Sequence, residues 1–356
     1  VTGEEQGPAP DKHRWRQVAL LVLKFAIVVL AVYLVLGVIG RIDWAGVADA
    51  AARMHWWQVA IVLLVVLLRQ ALLGSPLSNL LPGLGVPRAV ANGLVGTLIT
   101  TFTPPPSELV LRMAMFKSWR IDLTKGAAAL ALYTYLSYLV RLAVPVLALL
   151  LAIAQLTASS AYWWNAAWSG GLAILLIVLL FVVSRGEPAA AKVGRTVGSL
   201  VHKVRHKVDP QAWSRTLVQF QRDSSENLVG RLVPGGLVMT AFVVADGIVL
   251  LLCMRFIGVS ASSVSLLAMM TAFLCVYPLT IFPFNGFGVM EAALIVLLND
   301  VGTFVEADLV GALLVWRAAT LIFPLVPGGI TLLAWWSKRP AQGAPESNGT
   351  GLTATG

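Results

Sequence analysis

From residue 18 onward the chain is built of long apolar runs separated by short polar stretches, and the runs have the length of about 20 residues that crosses a bilayer as a helix. In chain order the predicted spans are Val18–Ile39, Trp56–Leu73, Ala127–Leu156, Gly170–Val183, Leu232–Phe256 and Ala307–Trp336. Two more apolar regions, Ala89–Phe116 and Val264–Leu298, are interrupted by proline-led polar stretches, TPPPSELVLR (Thr103 to Arg112) and FPFNGFGVME (Phe282 to Glu291). Proline and glycine remove or misdirect backbone hydrogen bonds, and in hydrocarbon each unpaired group costs several kcal/mol. Such breaks survive only inside protein or beside a wet cavity. Each region therefore reads as a helical hairpin that enters the membrane and returns. The expected fold is all-α: a polytopic membrane protein of six spanning helices plus two re-entrant hairpins.

Composition agrees, with 58% hydrophobic and 12% charged residues and a mean hydropathy of +0.82. A net charge of +9 would invite a nucleic-acid reading in a soluble protein. Here most of it follows from topology, because lysine and arginine collect on the cytoplasmic side of membrane proteins. With the N-terminus inside and both hairpins re-entrant, the cations from Lys12 to Arg16, from Arg112 to Lys125, from Arg185 to Arg231, and Lys338 with Arg339 all face the cytoplasm. Counting Ala89–Phe102 as a full span would put the Arg112 to Lys125 group outside. Both termini are thus expected in the cytoplasm of a bacterial plasma membrane. Val18–Ile39 is too long for a signal-peptide core and lacks a small-residue cleavage site, so it is expected to remain as the first span.

The order of elements predicts an inverted pseudo-repeat. Trp56–Leu73, a hairpin and the long helix Ala127–Leu156 form one unit, and Leu232–Phe256, a hairpin and Ala307–Trp336 form the same unit turned over. Such repeats bring two broken segments together near the bilayer midplane, where transport sites lie. Residues 1–17 and 337–356 are expected to be tails flanking a transmembrane domain of residues 18–336.

Ionisable groups at membrane depth are expensive and need a reason. The candidates are Glu108, Arg112, Arg141, Asp246, Glu291 and Arg317, with Lys24 and Arg69 nearer span ends, where they can snorkel. Arg141 and Arg317 each sit in a long helix after a hairpin and could hold a lipid phosphate in bidentate fashion. The alternative is that both merely neutralise Glu108, Glu291 or Asp246. Gly286 and Gly288 give the second break its backbone freedom, for close packing, a half-helix start or contact with substrate. In the basic segment 185–231, Lys192, Arg195, Lys203, Arg205 and Lys207 share a face opposite valine and leucine, as expected of a helix lying on an anionic membrane surface or meeting a partner. His202 and His206 are four apart but have no neighbouring carboxylate, so no metal site is expected, and Cys253 and Cys275 read as small buried residues.

PPPSELVLR followed by MFKSWRID, and FPFNGFGVMEAALIVLL followed by Val301-Gly302 and a helix bearing Arg317, resemble the two signature regions of the lysylphosphatidylglycerol synthase transmembrane-region family, also called flippase-like. The likeness runs from about Val18 to Trp336. It implies an integral protein of the bacterial or archaeal envelope, and in the multiple peptide resistance factors this region moves aminoacylated phosphatidylglycerol between leaflets. Carried onto this chain, the motif residues are Glu108, Arg112, Gly286, Gly288 and Glu291. Two positions depart from the pattern: Ser107 stands for the usual glycine and Met290 for an arginine. With only about 20 residues after Trp336, the aminoacyl-transferase domain of the resistance factors is not expected here.

No nucleophile elbow, phosphate-binding loop, dinucleotide fingerprint or zinc-ligand set occurs, so neither an enzyme activity nor a cofactor is expected. The expected function is a flippase for a phospholipid or a polyprenyl-linked lipid. The alternatives are a non-transporting scaffold for other envelope-biogenesis proteins and, with less support, a membrane-embedded transferase using Glu108, Asp246 or Glu291 as base.

Overall fold

A computed structural model describes residues 49, 52–102, 107–156, 160–184, 188, 191–192, 228–299, 302 and 304–337. The span predicted over Val18–Ile39, both tails and nearly all of the basic segment lie outside these residues. Among the described residues every regular element is a helix. Five rods are long and apolar enough to cross a membrane: Trp56–Leu80, Leu123–Ala154, Ser160–Val182, Gly230–Ile257 and Ala307–Ser337. They correspond to the five later spans expected from the sequence.

The first rod is α1 (Trp56–Gly74) continued by the short α2 (Pro76–Leu80). Gln58 opens it by accepting a hydrogen bond from the His55 amide at 2.8 Å. Proline is tolerated at the start of α2 because a first-turn amide has no intrahelical partner. The first hairpin consists of α3 (Val86–Phe102) and α4 (Ser107–Ser118), which pack on each other; its break, 103–106, lies outside the described residues. Asp122 then caps α5 (Leu123–Ala154) by accepting from the Lys125 amide at 2.9 Å. Next comes α6 (Ser160–Ser184), which begins earlier than the predicted Gly170, so Trp163, Trp164 and Trp168 belong to its first turns. After the basic segment runs α7 (Leu228–Ile257).

The second hairpin descends as α8 (Leu266–Val276), passes through 3₁₀ turns at Tyr277–Ile281 and Pro283–Gly286, and returns as α9 (Val289–Asn299). The last rod departs from the single long helix predicted. It is α10 (Glu306–Arg317), a π-helical turn at Ala318–Ile322, and α11 (Leu325–Ser337). Pro324 and Pro327 lack the amides that would extend an α-helical ladder back through this stretch, which is why regular geometry fails here.

The hairpins lodge on the long helices of the opposite half: α3 packs on α11, and α8 packs on α5. Lipid tails are as apolar as leucine, so helix association here needs close van der Waals approach rather than a hydrophobic drive. Glycine supplies it. A Cβ on Gly74 of α1 would stand 2.7 Å from the Val90 Cα of α3, and one on Gly328 of α11 would stand 2.9 Å from the Leu94 carbonyl of α3. Trp335 of α11 donates to the Ser118 hydroxyl of α4 at 2.8 Å, closing the same contact at its far end. The main core lies where α1, α5, α7, α8 and α10 meet, with Val66, Leu136, Val249, Phe273, Tyr277 and Trp316 buried in it.

Candidate functional site

Three groups of polar side chains occupy this otherwise apolar interior. The first joins α1, α7 and α10. Arg69 donates from Nε to Asp246 Oδ1 at 2.8 Å and from Nη2 to Oδ2 at 3.1 Å, a bidentate pair. The Trp316 indole donates to the same Oδ1 at 3.2 Å, and the Arg69 guanidinium lies 4.7 Å from the centre of the Phe242 ring. The sequence reading let Arg69 snorkel and left Asp246 for Arg141 or Arg317. The structure corrects both points: the Asp246 partner is Arg69, whose side chain is 12% exposed. The missed signal was length, because α2 extends the rod to Leu80 and puts Arg69 near its middle.

The second group sits at the break of the second hairpin. Arg317, at the last turn of α10, pairs through Nε with Glu291 in the first turn of α9, and its Nη2 donates to the Asn285 carbonyl at 3.3 Å. The second Glu291 oxygen accepts from the Gly288 amide at 2.6 Å. One carboxylate therefore caps its own helix and anchors α10 at once. The backbone that brings these groups together is left-handed at Asn285 (φ 54°), Gly286 (φ 68°) and Gly288 (φ 84°). At Gly286 a Cβ would fall 2.3 Å from the Leu279 carbonyl, so glycine is required there by space as well as by φ.

The third group sits against the first hairpin. Arg112 of α4 is 6% exposed and donates from Nε to Asn92 Oδ1 on α3 at 2.7 Å, while Asn92 Nδ2 reaches back to the Arg112 carbonyl at 3.3 Å. Its guanidinium lies 5.3 Å from the centre of the Tyr133 ring on α5, and the Tyr133 hydroxyl donates to the Leu73 carbonyl of α1 at 2.9 Å. Arg141, two turns farther along α5, donates from Nη1 to the Thr280 carbonyl at the second hairpin's 3₁₀ turn, 3.0 Å away. Among the described residues Glu108 makes no ion pair, and neither does Arg112 or Arg141.

Of the two arginines read as a corresponding pair, Arg317 meets an acid, Glu291, and Arg141 meets a backbone carbonyl. Asn92, Tyr133, Trp316, Asn285 and Thr280 complete the three groups, and none was singled out from sequence. Polar side chains and backbone carbonyls of this kind carry no charge to betray them in an apolar run. In the basic segment Lys192 is exposed, whereas Arg195, Lys203, Arg205 and Lys207 lie outside the described residues.

A family model described as Lysylphosphatidylglycerol synthase TM region matches residues 21–328. The chain belongs to this family. Comparison with curated proteins and with solved structures found no match to either. Family membership and the five long apolar helices together make the chain a multi-pass membrane protein of a lipid-handling family. The family match covers both hairpins and all three polar groups.

Proposed function

We propose that the protein is a translocase for a phospholipid or a polyprenyl-linked lipid, held in a bacterial plasma membrane with both termini in the cytoplasm. The observation that carries this reading is the crossing of the two halves: each broken hairpin rests on the other half's long helix, and arginines are buried at both. That arrangement is the one expected of an inverted repeat, whose halves can rock to open a midplane site to either leaflet. The lipid headgroup enters between the hairpins while the acyl chains stay in the bilayer. Glu291 holds Arg317 when the site is empty, and the charge it balances becomes available when the hairpin shifts. No nucleotide-binding motif occurs in the chain, so movement is driven by the lipid gradient or by an ion gradient.

The test is reconstitution into vesicles with a panel of fluorescent phospholipids and polyprenyl-phosphate sugars. Wild-type vesicles are expected to flip at least one class faster than protein-free vesicles. A protein that flips none of them, but whose action in cells is abolished by deleting residues 192–207, is instead a scaffold working through its basic segment.

A further inference from the structure

By their packing the helices divide into two groups, and the division cuts across the order of the chain. A buried cluster of Val95 from α3, Met115 from α4 and Trp335 from α11 is filled out by Ala91, Leu111 and Leu332 of the same three helices. The main core draws on α1 and on α5 to α10 and, among the described residues, takes nothing from those three. Polar ties follow the same division. Arg112 and Asn92 bond to each other between α4 and α3, and Trp335 bonds to Ser118, all within the smaller group. The pairs Arg69–Asp246, Arg141–Thr280 and Arg317–Glu291 lie within the larger one. The boundary therefore falls inside the last rod. Trp316 of α10 and Ala319 belong to the main core, Trp335 of α11 belongs to the smaller cluster, and the π-helical turn Ala318–Ile322 lies where one gives way to the other.

We propose that α3, α4 and α11 move as one rigid body against the other helices, with the π-helical turn as the hinge. Pro324 removes a rung of the hydrogen-bond ladder just beyond that turn, so bending there disrupts fewer bonds than bending within α10 or α11. The other connections between this body and the rest are turns as well. The chain enters it through residues 81–85, where Gly83 has φ 86°, and leaves it through residues 119–122, where Arg120 has φ 59°. The facing surface is suited to sliding: a Cβ on Gly93 of α3 would stand 2.8 Å from the Gly74 Cα of α1, so two bare backbones meet without a directional bond. At the open end of the hairpin, Ala89 and Phe116 share a small core with Leu77 of α2 and Leu130 of α5. That end stays seated, and the motion is a tilt about it. Arg112 travels with the body while Tyr133 stays behind, so the tilt changes what the Arg112 guanidinium faces, which in this structure is the Tyr133 ring at 5.3 Å. The moving piece takes its hairpin from one half of the pseudo-repeat and its last helix from the other. The inference rests on packing and not on the translocase reading.

The experiment measures distances between pairs of nitroxide spin labels on the full-length protein in lipid nanodiscs, after replacement of Cys253 and Cys275. Labels go on Lys117 of α4, Val310 of α10 and Leu333 of α11, three exposed positions. The pair 117 with 333 lies inside the body and should give one narrow distance. The pairs 117 with 310 and 310 with 333 cross the hinge and should give broad or two-peaked distributions. Pro324→Ala returns the missing amide, and both crossing pairs should then narrow to a single distance while 117 with 333 is unchanged. An internal pair as broad as the crossing pairs would dissolve the rigid body. Narrow crossing distances in the protein with Pro324 in place would remove the motion, a result that stands even if Pro324→Ala fails to fold. Crossing distances that are broad but indifferent to Pro324→Ala would take the hinge away from the π-helical turn. The expected pattern in a protein that flips no lipid would leave the hinge standing and remove only the translocase.

Discussion

Arg69 and Asp246 are 177 positions apart in the chain and meet through two hydrogen bonds of 2.8 and 3.1 Å, joining α1 to α7. A buried pair of this kind adds little beyond what a well-packed apolar pair would give, but removing one partner strands a charge. Asp246→Ala should therefore destabilise the protein by about 3–5 kcal/mol. The double replacement Arg69→Met with Asp246→Leu should recover most of that loss. Thermal unfolding in one detergent decides it, and a double variant no more stable than the single would mean that the pair is not what joins the two helices.

Glu291 has two tasks, capping α9 through the Gly288 amide and balancing Arg317. Glu291→Gln keeps the volume and most of the capping while removing the charge. Flipping in reconstituted vesicles should fall by about tenfold, a barrier increase of about 1.4 kcal/mol, with protein accumulation little changed. An unaltered flipping rate would detach this pair from the transport cycle.

The two glycines of the second break should respond unequally. At Gly288 (φ 84°) nothing lies within 4 Å of an added Cβ, so Gly288→Ala should cost only the left-handed penalty of about 1–2 kcal/mol. Gly286→Ala adds a collision with the Leu279 carbonyl, 2.3 Å away, and should cost distinctly more. Melting temperatures of the two variants give the comparison, and equal losses would contradict the packing described at this turn.

Topology can be read by thiol labelling after replacing Cys253 and Cys275. Single cysteines placed at positions 117–125 should be protected from an impermeant reagent applied from outside and react once the membrane is opened. Labelling from outside would make α3 a full crossing and remove the re-entrant reading of the first hairpin.

The sequence by itself determined the class of this protein, its five long apolar rods and the place in the second hairpin where regular helix gives way. These are local matters. A run of about 20 apolar residues satisfies its own backbone hydrogen bonds wherever it lies, and a proline or a left-handed glycine breaks that pattern whatever surrounds it. Both signature motifs were legible for the same reason, and Glu291 and Arg317 could be singled out as costly charges before any contact was known. Which acid each arginine meets was decided only by tertiary structure. Asp246 turned to Arg69 rather than to Arg141 because α1 and α7 pack together, and Arg112 met Asn92 rather than its helix neighbour Glu108 because α3 lies against α4. The π-helical break after Arg317 likewise belongs to a rod held by hairpin contacts on either side of it, Glu291 just before the break and Ser118 at the far end of α11. A charge in hydrocarbon takes the partner within a few ångströms, and that distance is set by the crossing of helices far apart in the chain.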